Sequence, residues 1–118
     1  MIAILKSIHS PDVPDLKSYR PKEKDSFGVF LEVRVGAKGE DVAESFGVTV
    51  CTPSWLEQRM DRDAILLGRH HLFVREWSYE RVHAFIERFC SDASDASWDR
   101  IAQNMSRLGK WEFEDYRG

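Results

Sequence analysis

Apolar and polar residues alternate most clearly between Phe27 and Gly36. There Phe27, Val29, Leu31, Val33 and Val35 share one side, and Gly28, Phe30, Glu32 and Arg34 share the other, the period of a strand with one buried face and one largely solvated face. A second strand is expected over Phe46–Cys51, where Phe46, Val48 and Val50 alternate with Gly47, Thr49 and Cys51. Between the two, GAKGEDVAE is glycine-containing and charged, the composition of an exposed, loose hairpin connection. Thr52 and Pro53 then switch strand to helix: a threonine side chain can accept from free first-turn N–H groups, and proline at the first helical position forfeits no hydrogen bond. Trp55 and Leu56 on that first turn are expected to fold back over the face of Phe46, Val48 and Val50. The helix should end near Asp61–Asp63.

Ile2, Ile4, Leu5 and Ile8 mark an opening strand that stops at His9, before the prolines of SPDVPD. Residues 10–26 read as a loop whose mixed charges (YRPKEKD) suit a solvated crossover. Arg69–Trp77, with Leu72, Phe73 and Val74, reads as another strand. Ser78 caps a helix carrying Val82, Phe85, Ile86, Phe89 and Cys90 at helical spacing, and SDASDAS supplies a break and a new cap. Trp98, Ile101, Ala102, Met105 and Leu108 define a last helix that Gly109 is placed to end. The closing KWEFEDYRG alternates rings with acids and suits an edge strand or docked rings. The expected architecture is α+β: one domain over residues 1–118, with a single-layer, mainly antiparallel sheet of about four or five strands covered on one face by two or three helices.

Composition narrows the function more than the fold. The 118 residues are 42% apolar, enough for one core, and 31% charged, yet the net charge is only −3. No global basic field draws such a chain to nucleic acid or to an anionic membrane. The apolar run at the amino terminus is too short for a signal peptide core or a membrane span, so a cytoplasmic protein is expected. Cys51 and Cys90 lie in apolar patterns and read as reduced, buried thiols.

The sequence offers little catalytic chemistry. His70 and His71 would point to opposite faces of a strand, and His83 has only Glu87 one helical turn away, so neither suggests a metal site. Nothing orients a base toward Cys51, Glu32 stands without a second carboxylate, and GAKGE lacks the Lys and Ser or Thr of a nucleotide-binding loop. No catalytic, cofactor or metal residue is therefore assigned. Surface remains: acids gather at Glu40, Asp41 and Glu44, at Asp92, Asp95 and Asp99, and at Glu112, Glu114 and Asp115 beside Trp111 and Tyr116. Exposed rings next to carboxylates suit an interface with a basic protein.

Taken in order, ILKSIHSPD, the core DSFGVFLEVRVGAKGEDVAESFGVTVCTPSWL, and an aromatic strand followed by an amphipathic helix resemble the immunity protein 8 family of bacterial polymorphic toxin systems, over nearly the whole chain. The resemblance implies a small α+β cytosolic protein that binds and neutralises a toxin domain, typically encoded beside it, and it assigns no catalytic residue. If the toxin is a nuclease its cleft is basic, and an acidic face here would mimic phosphates. The expected contact residues are Glu40, Asp41 and Glu44, with Trp111, Glu112 and Glu114 as a second group. The alternatives are a self-assembling or small-ligand-binding module, recognisable by oligomers that form without a toxin, and a small enzyme, recognisable by a cleft that gathers Cys51, His71 and a carboxylate.

Overall fold

In the computed structural model, which describes residues 1–114, five strands and three helices follow one another as β1 (Ala3–His9), β2 (Gly28–Ala37), β3 (Glu44–Cys51), α1 (Pro53–Met60), β4 (His71–Phe73), α2 (Tyr79–Asp92), α3 (Trp98–Met105) and β5 (Lys110–Trp111). They build one open mixed sheet in the order β1-β2-β3-β4. The β1–β2 and β2–β3 pairs are antiparallel and β4 runs parallel to β3. β5 pairs antiparallel with β3, through Phe46 and Gly47. β4 and β5 therefore share one edge of β3 end to end. This explains why β4 is three residues long rather than the Arg69–Trp77 span expected: Phe46 and Gly47 are taken by β5, and β3 stops at Cys51 before Pro53.

Strand register fixes the two faces, because directly opposed residues on neighbouring strands point the same way. Val29 faces Val50, Leu31 faces Val48 and Val33 faces Phe46 on the inner side, all at most 3% exposed. α2 and α3 close that side with Val82, Ile86 and Cys90 and with Ile101, Ala102 and Met105. Both helices begin as their sequences dictate: Ser78 Oγ accepts from the Arg81 N–H and Ser97 Oγ from the Arg100 N–H. α3 ends at Met105, a turn short of Gly109. The Leu108 N–H bonds back to the Met105 carbonyl, which keeps Leu108 in the core beyond the helix end.

The loop over residues 10–26 has no regular structure, as the prolines require, but it is anchored: Leu16 is buried, its carbonyl accepts from Trp77 Nε1, and the Tyr19 ring meets Trp77 edge-on. Thr52 ties both ends of the central hairpin. Its Oγ1 caps α1 by accepting from the Trp55 N–H and also accepts from the Phe27 N–H, while its own N–H bonds the Phe27 carbonyl.

α1 departs from expectation. Trp55 and Leu56 do not cover Phe46, Val48 and Val50. Trp55 lies on the opposite side of the sheet, where a Cβ on Gly28 would come within 2.4 Å of its ring, and α1 contributes no residue to the core. The inner face is already filled by α2 and α3, and the missing side chain at Gly28 leaves a flat seat for the Trp55 indole on the outer face.

Candidate partner interface

The outer face is open apart from α1 and has its own order. One cross-strand row runs Gly28, Cys51, Phe73; the next Phe30, Thr49, His71; the next His9, Glu32, Gly47, Lys110; and then Ser7, Arg34, Ser45. Glycines under two of these rows let rings lie flat: Trp55 covers Gly28, and Phe30 covers Gly47, where a Cβ would meet the ring tip at 2.7 Å. The Arg59 guanidinium sits 5.3 Å over the Trp55 ring, a cation–π contact. His71 and Phe73 stack with an interplanar angle of 13°. Glu32 accepts from its cross-strand neighbour His9 at 3.0 Å. Phe30 is 38% exposed and Phe73 50%, so large apolar surface faces solvent amid charge. Exposed rings within a polar rim are the composition of a protein-binding surface.

The acidic residues singled out in the sequence divide. Glu44 points to the inner side, where its carboxylate accepts from both Trp98 Nε1 (2.9 Å) and Trp111 Nε1 (2.8 Å), bolting α3 and β5 to the end of β3. Trp111 is thereby occupied as well. Glu112 turns back to accept from the Ser45 N–H at 2.8 Å, and Glu114 forms a two-pronged ion pair with Arg69. Asp95 works at the junction before α3, accepting from Ala96, Asn104 and Arg100; the hydrogen bond from the Ala96 N–H, more than any other contact, holds its carboxyl below the usual range. Glu40 and Asp41 stand exposed on the hairpin connection, and among the described residues their carboxylates make no hydrogen bond or ion pair, although the Glu40 carbonyl accepts from Lys6. Asp115 and Tyr116 lie outside the described residues.

Other candidate chemistry is not assembled. Cys51 is fully buried and burial pushes its thiol up to about 11, so the thiolate that a nucleophile needs is suppressed. The two adjacent histidines are used locally: His70, at φ 67°, places Nε2 3.0 Å from the Ser106 carbonyl, and His71 Nδ1 lies 3.0 Å from the Gly68 carbonyl. Among the described residues no three His, Cys, Asp or Glu side chains gather as metal ligands, and no helix is long and apolar enough to cross a membrane. The outer-face rings are not among the contact residues expected from the sequence, although the pattern carried a signal for them: Phe30 shares its strand face with Gly28, Glu32 and Arg34, which are small or charged.

A family model described as immunity protein 8 matches residues 3–116 of the chain. No curated protein and no solved structure matches it.

Proposed function

We propose that the chain, which belongs to the immunity protein 8 family, binds a toxin domain and neutralises it by burying the outer face of its sheet against it. The observation that carries this reading is a ring surface left in solvent: Phe30 seated on Gly47, and Phe73 stacked on His71, beside a sheet whose other face is packed under two helices along β2 and β3. A protein that works by mass action must hold its target tightly, and aromatic anchors surrounded by polar residues supply most of the affinity in such contacts. Glu40 and Asp41 add a carboxylate pair on the hairpin connection. They favour a target with a basic patch, such as the substrate cleft of a nuclease, and would act mainly on the association rate. Glu44, Trp111, Glu112 and Glu114 each already hold a partner within the chain, the last two in exposed contacts at the surface.

The test is co-expression with the toxin-like product of the adjoining reading frame, followed by calorimetry on the purified pair. Rescued growth and tight one-to-one binding are expected. Phe30→Ser should weaken binding by about 2 kcal/mol and, because the ring also packs on Gly47, should cost about 1 kcal/mol of fold stability, read separately by chemical denaturation. Reversing Glu40 and Asp41 to Lys should slow association most at low salt. Wild-type protein that neither binds nor rescues sinks the proposal.

A further inference from the structure

We infer that the outer edge of β4 is a docking site for an extended segment of the toxin, which joins the sheet as an additional strand; this rests on the toxin-binding reading above. β4 is an edge strand. Toward β3 it is bonded, the Thr49 N–H to the His70 carbonyl and the Val74 N–H to the Cys51 carbonyl. Strand alternation then turns the N–H and C=O of His71 and Phe73 outward, and no partner within the described residues takes them. Unpaired strand edges are templates for a further strand, and proteins that avoid such pairing blunt them. The opposite edge of the sheet is blunted: β1 carries a bulge between Leu5 and Ser7, with a lysine at the extra position. The β4 edge is short, which limits an added strand to the outward groups of His71 and Phe73, but it has no bulge and no charged side chain within its three residues.

What borders this edge decides the occupant. A groove of about 580 Å³ runs beside Leu72, Phe73 and Val74 to the first turns of α2. Phe73 and Phe85, both 50% exposed, stand along it as apolar walls. Lys24, Arg75 and Arg81 line it against Asp25 and Glu76, and none of these five side chains makes an ion pair among the described residues. The positive end of α2 opens on the same space at Ser78, where the first-turn N–H groups begin. The segment that fits is therefore extended, carries an apolar side chain to pass between the two phenylalanines, and carries a carboxylate to meet Arg75 and Arg81. Such a strand supplies main-chain hydrogen bonds for affinity and side-chain pockets for the choice of toxin.

Amide hydrogen exchange on the full chain, alone and with the product of the adjoining reading frame, tests this directly. The His71 and Phe73 amides should exchange fast in the free protein and slow by at least about tenfold in the complex, as amides that gain a hydrogen bond do. Phe73→Pro deletes an outward N–H that no internal bond uses and should lower affinity by about 100-fold, whereas Phe73→Leu, which keeps it, should cost about tenfold or less. If the proline variant melts early, the exchange result on the wild-type pair still decides. Binding with unchanged exchange at His71 and Phe73 overturns strand addition and leaves toxin neutralisation standing. A dimer of this chain that protects the same amides without toxin assigns the edge to a second copy and overturns the proposed occupant. No binding by the wild type overturns both.

Discussion

The two faces of the β2–β3 hairpin are built from the same alternating residues and end in opposite conditions. On the inner face every cross-strand pair from Val29–Val50 to Val33–Phe46 is closed under α2 and α3. On the outer face glycines replace the valines at two positions, a helix with no core residue covers one end, and the remaining rings meet solvent. Closure of one face is enough to hold the fold, which leaves the other free to be shaped for contact. The difference teaches where stability and binding should separate.

Substitutions can break that comparison, beginning with the inner face. Phe46→Ala removes a fully buried ring between the sheet and its helices and should cost about 3–5 kcal/mol by chemical denaturation, a large part of the stability of a domain this size. Glu44→Ala should cost about 2 kcal/mol, because two partly buried indole N–H groups lose their acceptor, and tryptophan fluorescence should report the change. On the outer face Gly28→Ala should cost about 1 kcal/mol by pushing the Trp55 ring away, and the loss should vanish in a Trp55→Ala background, the sign that one contact carries it.

One further effect appears only in alkali. Burial pushes the Cys90 thiol from its ordinary value near 9 up to about 11, so the folded protein keeps a proton that the unfolded chain releases. Stability from this group is therefore complete below pH 9 and declines as pH rises toward 11. The stability difference between wild type and Cys90→Ala should narrow across that window, and a constant difference would remove the thiol as the cause.

The elements whose residues speak to near neighbours were legible in the sequence. Alternation located the three long strands within a residue or two, and Thr52, Ser78 and Ser97 cap the three helices because a cap needs only its own first turn. The candidate site was less legible. Glu44 looked like one more exposed acid beside Glu40 and Asp41, since a carboxylate's partners 54 and 67 residues away leave no local trace. Trp55 looked like a core residue, because a tryptophan on an amphipathic first turn fits either side of a sheet.

The sequence by itself determined the α+β class, the two-faced hairpin, the helix starts and the resemblance that the family match supports, all of which follow from short-range periodicity and residue order. Only the tertiary structure decided that α1 crosses to the outer face, that β4 and β5 divide one edge of β3, and that Glu44 serves two indoles. The physical reason is shared: alternation defines two faces and two edges but does not say which distant segment fills each, and that choice is made by volume and hydrogen-bond satisfaction across the assembled chain.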